Sequence, residues 1–577
     1  MQRYTDECQS LLASQKHKQA GDNVRATAVL EKALAQGVGG NASYRELGEI
    51  YLLRGMYDRA QECLVKAWSL CPEDHWALFK IGLVHKARGE YAQALSLFTR
   101  MTKIKKLSAA AHRELGEIWY RKDQCNLAKK HLQKALMLEP QNGAVCYFLG
   151  MICIKNNMFV RAEEWFNRAL KQGFSAATCN EQRDRARYLN IIETTRRVRQ
   201  KSLQCGGHSP IIRRLKGAIN KEFAYSDPYL KNSALNEIEI ASGKTTLASK
   251  PWHLWVTLTN RCNLQCRMCS VWRGKKRDLS NKTIREIISL FPSLERVVWL
   301  GGEVFLSPHF PRLIEEAGKH RNLRQVVTTN GLLIDSAWAD KLTAHHVDLC
   351  FSIDSVRKKK YEEIRKNGKF ADLLKSIALV NRYREKNKSD TSLTLNFVVM
   401  KDNYREIEKT YQFARKHGFR DMNLLLREGA GNAKENLTEK DSKHVAAICH
   451  AVIADAKKDG ITVRAQFNLG CDAVFERKSA PTLPAMHVAA GKQTSLKSPF
   501  CVMPWKRISL SPDAISMECF CRSLPVNFKE QSLLELWNSS FMQIYRKKIL
   551  HGISDWCDIH CQNRHADIVS SSRKKSL

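Results

Sequence analysis

Between positions 41 and 174, apolar and small residues recur with a period of 34. Gly48, Gly82, Gly116 and Gly150 stand in register, as do Ala60, Ala94, Ala128 and Ala162, with Ala67, Ala135 and Ala169 following at a fixed offset. A weaker copy upstream keeps the register through Ala26 and Ala33. Small residues so placed let paired helices approach closely, and a unit of this length buries its apolar face only against its neighbours. The pattern predicts a helical solenoid over residues 1–201, capped by the polar stretch "EQRDRARYLNIIETTRRVRQ". The first helices of the repeats then place Arg45, Glu49, Trp76, Phe79, Arg113, Glu117, Tyr120 and Tyr147 along a concave groove.

From Trp252 the periodicity changes. "LWVTLTN", "RVVWLGG", "QVVTTNG", "VDLCFSID", "LTLNFVVM" and "MNLLLRE" read as six strands, with amphipathic stretches such as "NKTIREIISLF" and "ADLLKSIALVNRYRE" between them. Strands alternating with helices predict parallel pairing and right-handed crossovers, and six such units make an incomplete β/α barrel. The expected organisation is multidomain, α plus α/β: the solenoid at 1–201, a linker at 202–250, the barrel at 251–465, a small Cys-rich unit at 466–566 and a disordered tail at 567–577.

Length and composition agree with this division. At 577 residues the chain exceeds what one core supports, and 44% hydrophobic with 26% charged residues is a globular balance. No basic segment precedes an apolar stretch at "MQRYTDECQS", and no window approaches eighteen uncharged apolar residues, so a soluble cytoplasmic protein without a membrane partner is expected. Nineteen cysteines in a chain of this size point to metal ligation and burial in a reducing compartment rather than to a disulfide framework. The formal charge of +36 makes an acidic partner plausible.

That charge is not spread evenly. "RGKKR" at Arg273 to Arg277, "RKKK" at Arg357 to Lys360, Lys401 and Arg427 all follow expected strand ends. Gathered around one opening, they would raise the local concentration of an anionic substrate: an acidic peptide first, a phosphorylated sugar or nucleotide second. RNA is disfavoured because no stacking pattern of aromatics accompanies the charges.

The candidate chemistry starts at "CNLQCRMC", in the loop leaving the first barrel strand, where β/α barrels carry their functional groups. Thiolates of Cys262, Cys266 and Cys269 can wrap one ion or cluster and leave one coordination position open. Neither the paired C-x2-C of a zinc ribbon nor the run of a bacterial ferredoxin fits this spacing. Further on, "GGE" ends the second strand (Gly301, Gly302, Glu303), "TNG" the third (Asn330) and "SID" the fourth (Ser352, Asp354).

These motifs together resemble the radical S-adenosylmethionine (SAM) superfamily, and the N-terminal repeats resemble the tetratricopeptide pattern, with "YRELGEIY" and "HRELGEIW" opening repeats and Pro72 and Pro140 closing them. The resemblance implies a [4Fe–4S] cluster on Cys262, Cys266 and Cys269, with SAM completing its fourth iron. It implies that Gly301 and Gly302 let backbone approach the methionine moiety and that Glu303 meets its ammonium. Asn330 belongs to the same cofactor-binding set, Ser352 and Asp354 serve the carboxylate and ribose, and Arg365 the carboxylate. Met268 stands where the family has an aromatic, and Val304 where it has proline; the thioether can still pack on adenine.

A second group, Cys501, Cys519, Cys521, Cys557 and Cys561, with Pro504, Trp505, Trp537, Asn538, Phe541 and Arg546, resembles the single-cluster SPASM or twitch extension of such barrels. That likeness implies an auxiliary [4Fe–4S] cluster on Cys501, Cys519, Cys557 and Cys561, with Cys521 able to replace Cys519 and zinc as the structural alternative. "SPDAIS" replaces the Asp-Gly usual in the hairpin, and Cys471 reads as a small buried hydrophobe. The family further implies an electron donor such as flavodoxin or ferredoxin, and hydrogen abstraction from a peptide, or from a sugar or aminocyclitol alcohol while the repeats hold a partner protein. A catalytically dead scaffold is the third reading.

Overall fold

The repeat glycines explain the N-terminal architecture. A Cβ at Gly48, Gly82, Gly116 or Gly150 would sit 2.5–2.8 Å from the side chain of Leu64, Phe98, Leu132 or Phe166 respectively. In each case the second helix of the pair drives a large residue against the bare backbone of the first. In this computed structural model, which describes residues 2–201, a few positions within 211–217, and residues 227–426, 437–465, 503–512, 514–516, 523–525 and 531–550, ten helices between Gln2 and Lys171 form five such pairs. An eleventh, Ala176–Lys201, begins in this unit; residues from Ile191 onward cluster with the second unit. Asp22, Asp74 and Asn142 cap their helices through side-chain oxygens.

Successive pairs are joined by ion pairs rather than by apolar contact alone. Glu49 binds Lys18 and Lys80, Glu114 and Glu117 bind Lys86, Arg45 binds Asp74, and Lys155 binds Asp123. Of the residues expected in a groove, Phe79 is buried against Phe98, and Tyr147 stacks on Phe174 at 5.0 Å. Trp76 stays 45% exposed. Arg45, Glu49, Glu117 and Tyr120 are thus largely committed to repeat-to-repeat contacts, Tyr120 lying 4.4 Å below the Lys155 ammonium.

The second unit is built on a mixed sheet whose strands lie side by side in the order Ser523–Pro525, Ala514–Ser516, Arg507–Leu510, His253–Thr257, Arg296–Leu300, Arg324–Thr329, Asp348–Ser352, Leu393–Val399, Asp421–Leu426, Thr462–Ala465. All six expected strands are present and parallel: β1 (His253–Thr257), β3 (Arg296–Leu300), β4 (Arg324–Thr329), β5 (Asp348–Ser352), β7 (Leu393–Val399) and β8 (Asp421–Leu426). Two more parallel strands flank them, β9 (Thr462–Ala465) beyond β8 and β10 (Arg507–Leu510) beside β1. An antiparallel hairpin of β11 (Ala514–Ser516) and β12 (Ser523–Pro525) extends the edge. Burial alternates along β1, β4 and β7, so one face packs under helices while the other presents Trp255, Thr328, Asn396 and Asn423 half-buried. Among the described residues no helix is long and apolar enough to cross a membrane.

Residues 227–250, expected as linker, are integral to this unit. The helix Pro228–Ala241 buries ten residues, including Asn232, Asn236, Glu237 and Glu239. Their polar groups serve backbone that has no partner in the sheet: Asn236 donates to the Trp505 carbonyl at 2.6 Å, and Glu239 accepts from the Ala248 and Ser249 N–H groups. The C-terminal helices Leu533–Trp537 and Ser540–Leu550 close on the same stretch. Trp537 donates to the Ser249 carbonyl, Asn538 bonds both N–H and C=O of Leu247, and Arg546 donates to the carbonyls of Pro504, Thr245 and Trp537.

Arg546 is fully buried, and desolvation pushes its pKa down to about 9. Replacing it by Met should cost about 3 kcal/mol in denaturant unfolding of the second unit, roughly 1 kcal/mol for each carbonyl left unpaired.

Candidate active site

The cysteine loop is fixed from several sides. Where β1 runs out, the Thr259 carbonyl accepts from Gly302 N–H at 2.8 Å and the Arg261 carbonyl from Glu303 N–H at 2.7 Å. These bonds bring the second strand's exit so close that a Cβ on Gly302 would lie 2.2 Å from the Arg261 oxygen and 3.0 Å from Cys262 Cβ; on Gly301 it would meet the Thr259 oxygen at 2.8 Å. The glycines are therefore required by the loop that carries the cysteines. On the opposite side, Gln265–Cys266 (β2) pairs antiparallel with Arg365–Lys366 (β6), and Arg267 N–H bonds the Ile364 carbonyl at 2.9 Å. Within the loop, Cys262 Sγ accepts from Leu264 N–H at 3.4 Å and the Cys266 carbonyl accepts from Cys269 N–H at 3.1 Å.

Cys266 is buried, Cys262 and Cys269 are half-buried, and none forms a disulfide. Burial raises the Cys262 thiol and pushes Cys266 up to about 11, so their thiolates call for a nearby cation. Bound iron is such a cation. Among the described residues no three His, Cys, Asp or Glu converge on a single-ion site; a cubane takes each thiolate at a different corner and does not require it. Met268 lies half-buried beside Cys269.

Glu303 is 1% exposed. Its carboxylate accepts from the Thr329 hydroxyl and the Asn330 N–H, both at 2.8 Å, and among the described residues no lysine or arginine ranks with the main influences on it. Desolvation outweighs these bonds and raises it to about 7. A buried carboxylate so placed fits the ammonium of an amino-acid cofactor. Asn330 reaches back to the loop, donating to Asn263 Oδ1 at 2.8 Å.

Asp354 and Arg365 face Cys266 from the fourth strand's exit. Arg365 Nη2 lies 2.6 Å from Asp354 Oδ2, and Asp354 Oδ1 accepts from Val398 N–H at 2.9 Å. Burial works against the Arg365 charge, but Asp354 and Cys266 more than offset it and its pKa is raised. Asp354 Oδ1 is thus hydrogen-bonded and Oδ2 is held by charge pairing with Arg365 alone, while among the described residues Arg365 Nε and the buried Tyr361 hydroxyl have no hydrogen-bond partner. Ser352 is half-buried at the end of β5. Spacing in the sequence does not mark Asn263, Thr329 or Tyr361, which reach the site only through the pairing of separated loops.

The basic rim is partly neutralised. Arg357 pairs with the buried Glu406, Lys360 with Asp402 and Glu363, and Arg267 with the same two acids. Lys275, Lys276, Lys358 and Lys359 are exposed. Arg427, Cys471, Cys501, Cys519, Cys521, Cys557, Cys561 and the tail at 567–577 lie outside the described residues.

Residues 256–414 match the radical SAM superfamily and residues 122–177 the tetratricopeptide repeat. Over these two stretches the chain is similar to radical SAM domains and to tetratricopeptide repeats. It is 32% identical over 171 residues to GTP 3′,8-cyclase of Synechocystis sp., covering 28% of this chain and 50% of that protein. It is 27% identical over 228 residues to PqqA peptide cyclase of Gluconobacter oxydans, covering 38% and 62%. The crystal structure of Streptococcus suis SuiB superposes with a TM-score of 0.43 at 14% identity, over 67% of this chain and 90% of that one. The chain spans only half the length of the first of these relatives.

Because the folded pKa of Glu303 exceeds its ordinary 4.5, the apo fold holds a proton that the unfolded chain has released. The resulting stability is fully present below pH 4.5 and is lost as pH rises through about 7. Glu303→Gln should abolish this dependence. Relative to wild type, the apo variant should gain about 2–3 kcal/mol in unfolding free energy between pH 5 and pH 8, while its affinity for SAM falls.

Proposed function

We propose that the chain is a radical SAM enzyme that modifies a peptide or protein. The observation that carries this reading is the assembly of Cys262, Cys266 and Cys269 beside a buried Glu303 with no lysine or arginine among its main electrostatic influences, at the C-terminal ends of parallel strands. The three thiolates would hold a [4Fe–4S] cluster, and Glu303 would receive the ammonium of SAM. Bound together, cluster and cofactor would supply one-electron, hydrogen-abstracting chemistry.

The chain's own residues bind and orient. Met268 offers an apolar surface to adenine, Ser352 a hydroxyl, and Asn330 holds the cysteine loop through Asn263. Asp354 acts through Arg365 instead of reaching outward. Cys501, Cys519 or Cys521, Cys557 and Cys561 would bind an auxiliary cluster that accepts the electron left on the substrate, and a flavodoxin- or ferredoxin-type donor would supply the first one.

A peptide substrate is supported by the repeats on the same chain and by the likeness to a peptide cyclase. The exposed lysines favour an acidic one. The likeness to a nucleotide cyclase makes a small anionic molecule the second reading, with the repeats then binding a partner protein.

Anaerobic reconstitution should give two clusters, and changing Cys262, Cys266 and Cys269 to Ala should remove one of them and all cleavage of SAM. Deuterated acidic peptides should pass label into 5′-deoxyadenosine. Cleavage surviving in the triple variant refutes the site, and label from small anions but no peptide refutes the substrate class.

Rim charge should act on capture. Changing Lys275, Lys276, Lys358 and Lys359 to Glu should lower kcat/KM at least tenfold. In wild type kcat/KM should fall as salt shortens the Debye length from ~10 Å at 0.1 M to ~3 Å at 1 M. Salt-independent capture, unchanged in the variant, removes the rim from the account.

A further inference from the structure

Cys266 and Arg365 are directly opposed in the β2–β6 ladder. Opposed residues of an antiparallel pair project to the same face with Cβ atoms about 5 Å apart. The Arg365 guanidinium accordingly reaches the cysteine, Nη1 lying 3.9 Å from Sγ. Behind it stands Asp354, 2.6 Å from Nη2 and wholly buried. Asp354 is itself fixed to the exit of β7: its Oδ1 accepts from Val398 N–H, and its carbonyl accepts from Asn403 Nδ2 at 2.9 Å. The result is an oriented buried dipole whose positive end points at one sulfur, with Arg365 only 5% exposed.

We propose that Arg365 sets the electron affinity of the bound cluster by donating to the Cys266 thiolate, with the buried Asp354 behind it as the opposing, negative end of the pair. The proposal rests on the reading that these cysteines hold a [4Fe–4S] cluster. Reduction adds one electron to the cluster, and positive charge at a ligand sulfur stabilises the more negative state. In a site shielded from water that effect is not screened away. Because it acts on the cluster itself, the effect is present before SAM binds, which separates it from a role as ligand to the SAM carboxylate.

The test is an EPR-monitored redox titration of reconstituted protein without SAM, the barrel cluster being the signal that changes when SAM is added afterwards. Arg365→Gln should disfavour reduction at least tenfold, a fall of about 59 mV for a one-electron couple, and Arg365→Lys should recover most of it. Asp354→Asn should shift the midpoint the opposite way, because it removes the negative end of the dipole. A general loosening of the site would not give opposite signs. An unchanged midpoint in Arg365→Gln, with only SAM affinity weakened, overturns the proposal and leaves Arg365 as a cofactor ligand. Should Arg365→Gln fail to hold a cluster, Asp354→Asn decides: a raised midpoint supports the proposal, an unchanged or lowered one overturns it. A wild-type chain with no SAM-responsive cluster overturns the site assignment itself, and the proposal with it.

Discussion

The backbone at Arg261 and Cys262 approaches Gly302 so closely that only a hydrogen fits between them. Two hydrogen bonds zip the first and second strand exits together along this contact, and Glu303, next in the chain, is carried to the third exit, where Thr329 and Asn330 hold it. Asn330 then bonds Asn263, returning to the cysteine loop where the path began. The β2–β6 ladder adds the fourth exit, and Arg267 on Asp402 the fifth. Each tie is a modest interaction, but a closed circuit of them fixes the loop before any cofactor arrives. Preorganisation of this kind lowers the cost of ordering on binding.

Much of this was legible in the chain. The 34-residue period announces its own structure because four successive repeats obey the same steric rule, glycine under a large residue. The six central strands are apolar runs between turn signals, and they pair as expected. Strand β9 has no clear signal because Arg464 breaks its apolar pattern, and β10 is legible only as one arm of the hairpin around "SPDAIS", not as a parallel neighbour of β1; in the fold Arg464 pairs with Asp421 and Arg507 stacks on Trp255 at 4.5 Å. The stretch 227–250 falls in the expected linker because Asn, Ser and Glu look solvated in a sequence. Here they are buried and spend their hydrogen bonds on backbone. Polar residues used that way carry no periodic signature.

The site shows the same division. Spacing identifies Cys262, Cys266 and Cys269, yet it does not reveal that Gly301 and Gly302 make room for the cysteine loop, nor that Asp354 is turned toward Arg365. Both facts depend on strands that are distant in sequence lying side by side. The solenoid repeats the lesson: Arg45, Glu49 and Glu117 stand at groove positions by register but are held by neighbouring repeats. Trp76 keeps an exposed face there.

The seating of β10 against β1 bears on how the protein is made. During synthesis β1 emerges some 250 residues before its outer neighbour, and Trp252, His253 and Asn236 wait for the carbonyls of Trp505 and Lys506 to complete their bonding. Until the ribosome has passed that point, the first strand of the cofactor-binding sheet is a bare edge, open to pairing with another nascent chain. A chain released before β10 is made would keep that edge exposed.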